Sequence, residues 1–342
     1  MRNGWGMSIR VGIAGHGLAG SVFHAPLIRA CPRMEIASVL TSRDAPGRVE
    51  SVKELIEQSD LVVIASPNQT HFPIAKAALE AGKHVVVDKP FTITTDEADE
   101  LIRLAATRER VLTVFHNRRW DGDFLTVRKM LPGLGEISLF EAHWDRFRPA
   151  IKQGWREKPE PGGGVLNDLG PHMVDQMLLL CGVPDAVSAD IMAQRPEAQV
   201  DDYFDLTFHY GQRRARLACS SLVSDQRPRF AVNGSEGSYV KYGLDPQEEQ
   251  LKAGMTPNDP GFGITGLAGT LTRPDGSRED VPTERSNYTI FYKLVADSIL
   301  DGAPVPVDPV DARTGLMLID LARRAAAEGR LLPVPAASSP GA

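Results

Sequence analysis

The chain is poor in cysteine and in aromatic residues, and it has no long apolar run. Its three cysteines, Cys31, Cys181 and Cys219, are scattered and odd in number. They fit neither a disulfide framework nor a metal-ligand spacing, so a reducing, cytoplasmic setting is expected. His24, His116 and His143 show no ligand spacing either, and no metal is expected. No segment approaches the roughly twenty apolar residues of a membrane span. Residues Met1 to Met7 lack the apolar core of a secretion signal, and Met7 is the expected true start. Net charge is −6 and no basic cluster stands out, which argues against nucleic acid as a partner. The end of the chain, from Pro335 to Ala342, is rich in Ala, Ser and Pro and is expected to be loose.

With 342 residues, 42% of them hydrophobic, the chain can bury two substantial cores. Ile9-Arg10-Val11-Gly12-Ile13-Ala14 is a β-prone run that leads into Gly15-His16-Gly17-Leu18-Ala19-Gly20. This is the G-x-G-x-x-G pattern of a dinucleotide-binding turn. Gly15 permits the tight turn, Gly17 lets the backbone approach a pyrophosphate, and Gly20 lets the helix pack on the strand. Strand and helix patterns then alternate. Met34 to Leu40, Leu61 to Ala65, His84 to Val87 and Val111 to Val114 read as strands, and Phe72 to Ala81 and Thr94 to Ala106 as helices. The alternation predicts a doubly wound parallel sheet, with ligands beyond the carboxyl ends of its strands.

The residues following those strands are therefore informative. After the second strand, Ser42 and Arg43 suit the 2′-phosphate of NADP, while Asp44 keeps NAD open as an alternative. Ser66-Pro67-Asn68-Gln69-Thr70-His71 follows the next apolar strand, and Asp88-Lys89-Pro90 the one after that. Lys89 leaves a strand buried on both faces, so it emerges at the ligand edge. Asn117 and Arg118 follow the strand ending at Val114; they face cofactor or substrate, or one of them makes an interdomain salt bridge. Farther on, Gly162-Gly163-Gly164 runs into a helix carrying Asp168 and His172 four residues apart. Residues i and i+4 share a helix face, so the pair makes a platform for proton transfer or a structural pair. Trp155 stacks on a sugar-like ring or packs in a core. Asp201, Asp202 and Tyr203 read as a solvated strand start, with hydrogen bonding to polyol hydroxyls as the alternative; Tyr288 reads as a core or interface residue on a helix of the second domain, and Asp308 to Glu328 as an amphipathic packing helix.

In this order, the glycine fingerprint, Pro67-Asn68 with His71, Lys89-Pro90, and Gly162-Gly163-Gly164 with Asp168 and His172 resemble the Gfo/Idh/MocA family of oxidoreductases. The runs 114–121, 201–204 and 237–248 resemble the subgroup that includes NADP-dependent scyllo-inositol dehydrogenases. The resemblance implies a Rossmann domain over residues 1–120. It implies an α+β domain over 121–335, built on a large, open, mostly antiparallel sheet. It implies Lys89, Asp168 and His172 as catalytic residues, with Gly15, Gly17, Leu18, Gly20, Ser42, Arg43, Pro67, Asn68, His71 and Lys89 around the nucleotide. Asn117, Arg118 and Trp155 are the expected substrate contacts. The expected activity is hydride transfer between NADP and a cyclic polyol or sugar, in a homodimer or homotetramer. Two alternatives share the scaffold: a redox-assisted glycosidase retaining NAD, and a nucleotide-binding sensor without turnover. Two departures stand out. Asp88 replaces the usual Glu before Lys-Pro, and the segment from Arg43 to Leu55 is shortened, so its strand and helix should be truncated.

Overall fold

The computed structural model describes residues 8–159 and 162–335, without the side chain of Trp155. The expectations for Met1 to Met7 and for residues 336–342 lie outside the described residues. The chain divides into two compact units. The first comprises Met1–Gly122, Asp245–Thr265 and Arg285–Arg313; the second comprises Asp123–Leu244, Gly266–Glu284 and Thr314–Ala342.

The first unit holds a six-stranded sheet: β1 (Ile9–Ala14), β2 (Met34–Leu40), β3 (Arg48–Val49), β4 (Leu61–Ile64), β5 (His84–Val87) and β6 (Leu112–Val114). Its order is β3-β2-β1-β4-β5-β6, and every pair is parallel. Val62, Val63, Val85 and Val86 are fully buried, as strands covered on both faces require. The order reverses between β1 and β4, which opens the crevice where such sheets bind ligands. The shortened segment is visible as the two-residue β3 and the six-residue helix Val52–Glu57. Helices α1 (Ala25–Arg29), α2 (Val52–Glu57), α3 (His71–Glu80) and α4 (Thr95–Thr107) follow in chain order. Thr94 caps α4 in a reciprocal box with Glu97, which fixes where that helix begins.

A cut at residue 120 divides the chain linearly, but the first unit also draws on the second half of the sequence. There, α7 (Gln247–Lys252) and α8 (Thr289–Asp301) belong to it. Phe291, Tyr292, Val295 and Ala296 of α8 are buried in the same core as Val114 and Phe115. Tyr288, expected in the second domain, packs in this core too and is 1% exposed.

The second unit is built on a nine-stranded mixed sheet. Its strands are β7 (Ile137–His143), β8 (Ala186–Met192), β9 (Tyr203–Tyr210), β10 (Arg213–Ser220), β11 (Phe230–Gly234), β12 (Gly237–Lys241), β13 (Gly269–Thr272), β14 (Arg278–Val281) and β15 (Leu332–Pro333). They run in the order β14-β13-β12-β11-β7-β10-β9-β8-β15. Only β7 and β10 pair in parallel. Alternate residues such as Phe204, Leu206 and Phe208 join Phe140, Leu217 and Phe230 in its core. Against them pack Leu166, Leu169, Met173 and Met177 of the helix Val165–Cys181, and Leu318, Ile319 and Ala322 of Pro309–Glu328. The latter helix therefore packs as its amphipathic pattern predicts.

Candidate functional site

The glycine turn forms where β1 ends. Gly15 takes φ +108°, and a side chain there would meet the backbone of Ala65 at 2.5 Å. A side chain at Gly20 would lie 2.0 Å from the carbonyl oxygen of Gly15. Gly17 differs, because nothing lies within 4 Å of where its side chain would stand. The fold itself gives no reason for glycine at position 17. Close approach of an outside group does, and this matches a pyrophosphate at the turn. Leu18 beside it is 48% exposed. The turn continues into a π-helical segment, Ala19–His24, rather than directly into an α-helix.

Around this turn lie the other expected nucleotide residues of the first unit. Ser42 and Arg43 are exposed beyond β2. The Arg43 guanidinium donates to the carbonyl of His16 at 3.1 Å, which brings it to the glycine turn. Beyond β4, Asn68 opens a single 3₁₀ turn, closed by Thr70 donating to Pro67 O and meeting the Ser66 hydroxyl at 2.6 Å. His71 is 1% exposed. Its Nδ1 lies 2.9 Å from Pro90 O and its Nε2 3.0 Å from Ser66 O. The ring thus braces two loops from behind instead of reaching outward.

At the end of β5, Asp88 Oδ1 accepts from the amide of Lys89 at 2.8 Å. Burial opposes the charge on Asp88, but His24 first, then Lys89 and His71, outweigh it and hold the carboxyl below its ordinary range. Lys89 itself is half-buried. Asn117, beyond β6, is half-buried as well. Arg118 is turned inward and only 7% exposed. It pairs with Asp121 at 3.2 Å and with Glu248, and it lies 3.4 Å from the Tyr288 hydroxyl. Burial works against its charge, yet Tyr288, Asp121 and Glu248 raise its pKa. Asp121, Glu248 and Tyr288 all belong to the first unit, so Arg118 is held in ion pairs within it.

In the second unit, α5 (Gly122–Met130) leads to β7, and α6 (Val165–Cys181) carries Asp168 and His172. Asp201 caps α6: its carboxylate accepts from Leu166 N at 2.7 Å, and its carbonyl accepts from Val165 N at 2.9 Å. A side chain at Gly164, which takes φ +90°, would strike that carboxylate at 2.3 Å. Glycine at the loop–helix junction is thus required by the cap. Asp202 is fully buried and accepts from Arg195 Nε at 2.7 Å. The expectation of a solvated strand start is therefore corrected for both aspartates, since one caps a helix and the other anchors a buried arginine.

Asp168 lies in the first turn of α6. It accepts from Arg156 Nε at 3.3 Å and faces Arg146 Nη1 at 3.8 Å. His172, one turn on, is 7% exposed, and its ring lies 6.4 Å from that of Trp144, tilted by 33°. Behind Trp144, Arg229 is held between Trp144 and Phe230, with Gln176 accepting at 2.7 Å. Sequence reasoning gave no role to Arg146, Arg156, Trp144 or Arg229. The run Asp145-Arg146-Phe147-Arg148 after β7 was a usable signal, because loops after strands supply such groups. The expected stacking of Trp155 concerns a side chain outside the described residues.

Residues 9–116 match the family model described as oxidoreductase family, NAD-binding Rossmann fold. Residues 128–335 match the model described as oxidoreductase family, C-terminal alpha/beta domain. The chain is 45% identical to the uncharacterized oxidoreductase YdgJ of Escherichia coli, over 92% of this chain and 95% of that protein. It is 38% identical to scyllo-inositol 2-dehydrogenase (NADP(+)) IolW of Bacillus subtilis, over 95% of this chain and 96% of that protein. Among solved structures, oxidoreductase yvaA of Bacillus subtilis superposes with a TM-score of 0.93 at 37% identity, covering 96% of this chain and 99% of that one.

Proposed function

Because the chain belongs to the Gfo/Idh/MocA family of oxidoreductases, we propose that this NAD(P)-dependent dehydrogenase moves a hydride between NADP and a secondary hydroxyl of a cyclic, inositol-like polyol or sugar. The observation that carries the reading is the start of α6, where Asp168 and His172 occupy one helix face behind a glycine loop. The likeness to a relative named as an NADP-dependent inositol dehydrogenase supports the substrate class.

The amides of the Gly15–Gly20 turn are proposed to hold the pyrophosphate, with Leu18 against it. Arg43 and Ser42 take the 2′-phosphate, and Pro67 and Asn68 line the nicotinamide side. His71 contributes from behind, through the carbonyls it braces. When bound, the nicotinamide supplies the hydride acceptor or donor. His172 takes the proton from the substrate hydroxyl, and Asp168 on the same face steadies the charge that results. Lys89 donates a hydrogen bond to the reacting oxygen and favours negative charge there. Asn117 and Trp155 are assigned to substrate hydroxyls and ring. Arg118 is left out of the substrate contacts, because its guanidinium is engaged by Asp121 and Glu248. The working form is proposed to be a cytoplasmic homodimer or homotetramer.

The test is kinetic. Lys89→Ala and His172→Ala should each lower kcat by roughly a hundredfold or more, the scale of losing a positioned acid–base group. Both variants should still fold, and His172→Ala should bind NADP about as tightly as wild type, since His172 is not among the residues assigned to the nucleotide. Near-full turnover in either variant would remove that residue from the mechanism.

A further inference from the structure

Behind Lys89 lies a chain of polar groups, running from the buried Tyr292 and His24 to the half-buried Asp88, that the proposed chemistry does not use. His24 ends the π-helical segment that begins in the glycine turn, and its side chain is wholly buried. Its ring packs against that of Phe115, with centroids 4.3 Å apart and planes tilted by 44°. His24 Nδ1 lies 2.5 Å from the hydroxyl of Tyr292, a residue 268 positions away on α8. His24 Nε2 faces Asp88 Oδ2 at 3.8 Å. The other oxygen of Asp88 accepts the amide N–H of Lys89 at 2.8 Å.

The tautomer of His24 follows from the groups that face it. Burial first, and then the charge of Asp88, push the Tyr292 phenol well above its ordinary value. Tyr292 therefore keeps its proton and can donate it to His24 Nδ1. The imidazole then carries its N–H on Nε2, which faces the carboxylate across 3.8 Å, beyond direct hydrogen-bond distance. The opposite tautomer would turn a lone pair toward a negative charge. A histidine wholly buried beside a half-buried carboxylate costs desolvation that an apolar side chain of similar volume would avoid. Packing alone does not account for them.

We propose that His24, held by Tyr292, is a positioning residue for Lys89, acting through Asp88 to fix the backbone from which the lysine leaves the sheet. The inference rests on the assignment of Lys89 to catalysis. It also connects two parts of the site, because His24 belongs to the same turn-and-helix element as the nucleotide-binding glycines.

The experiment compares His24→Leu, His24→Gln, Tyr292→Phe and Lys89→Ala with the wild-type enzyme. It measures kcat and KM for the best polyol, and NADP affinity by protein fluorescence. A small misplacement of a reacting group costs up to about a hundredfold, so His24→Leu should lose roughly tenfold or more in kcat. KM and NADP affinity should change by less than about threefold, since ground-state binding is not what His24 serves. His24→Gln, whose amide N–H reaches about as far as Nε2, should recover most of the loss. The losses from His24→Leu and Lys89→Ala should not multiply in the double variant, because both act through one group. Tyr292→Phe removes a single oxygen and should show the same non-multiplying loss even if His24→Leu does not fold. Wild-type kcat in Tyr292→Phe, or losses that multiply with Lys89→Ala, would overturn the inference. If Lys89→Ala is crippled while the His24 and Tyr292 variants keep full turnover, this inference alone fails. Full turnover in Lys89→Ala would overturn the catalytic assignment with it.

Discussion

Arg43 lays its guanidinium on the backbone carbonyl of His16, 3.1 Å from Nη1 to the oxygen. That contact ties the residue after β2 to the middle of the glycine turn. A hydrogen bond to a charged group contributes about 1.5–3 kcal/mol, so Arg43→Ala should raise KM for NADP roughly tenfold to a hundredfold. KM for NAD should change little, since NAD lacks the 2′-phosphate. Steady-state kinetics with both nucleotides checks this. Equal or better use of NAD by the wild-type enzyme would shift attention to Asp44.

The glycines of the turn should separate by function. Gly17→Ala places a methyl group in open space, whereas Gly20→Ala drives one into the Gly15 carbonyl. Gly17→Ala should therefore melt like wild type without nucleotide yet bind NADP more weakly. Gly20→Ala should lower the melting temperature itself. Thermal melts with and without NADP measure both effects.

Arg118 offers a third test. Replacing one partner of a buried ion pair costs about 3–5 kcal/mol, because the other charges stay buried. Arg118→Met should therefore destabilise the protein strongly, while surviving folded enzyme should keep its KM for substrate. A normal melting temperature with a raised substrate KM would return Arg118 to the substrate site.

These contrasts show what the sequence could and could not convey. Local patterning located β1, β2 and β5 to the residue, and the glycine and Lys-Pro motifs marked the ends of their strands. The shortened segment after Arg43 was readable too, because β3 and α2 are too brief to carry a period. Pairings distant in the chain were not readable. The contact of His24 with Tyr292 joins residues 268 apart, and nothing in either neighbourhood announces the other. Asp201 and Asp202 look like one polar pair, yet backbone geometry sends one to a helix cap and the other to Arg195. Arg118 and Arg43 have the same chemistry, and only burial separates the residue locked in ion pairs from the one left exposed beyond β2.

His84 predicts a pH dependence of stability. Burial first, and then Arg110, lower its pKa from 6.5 to about 4. Its Nδ1 accepts from Val111 N at 3.0 Å, which requires the neutral ring. The unfolded chain takes up the proton at a higher pH than the folded one does. Stability should therefore fall as pH drops from about 6.5 to about 4, by at most about 1.4 kcal/mol per unit from this group. Below that window its contribution levels off. In His84→Asn the decline should be shallower, and urea melts across the window would show it. An unchanged slope would assign the acid sensitivity to other groups.

We propose that the enzyme draws its transition-state binding from the several hydroxyls of a cyclic polyol. The most direct measurement is kcat/KM with NADP for a panel of inositols and aldoses against cyclohexanol, followed by NADPH absorbance. An unmatched polar group costs about 1–3 kcal/mol when water is expelled, so a pocket built for hydroxyls should reject an alcohol that lacks them. At least one inositol or aldose should be turned over, with negligible rates for cyclohexanol. Equal efficiency on cyclohexanol and on the best polyol would contradict the account, because the hydroxyls away from the reacting carbon would then contribute nothing.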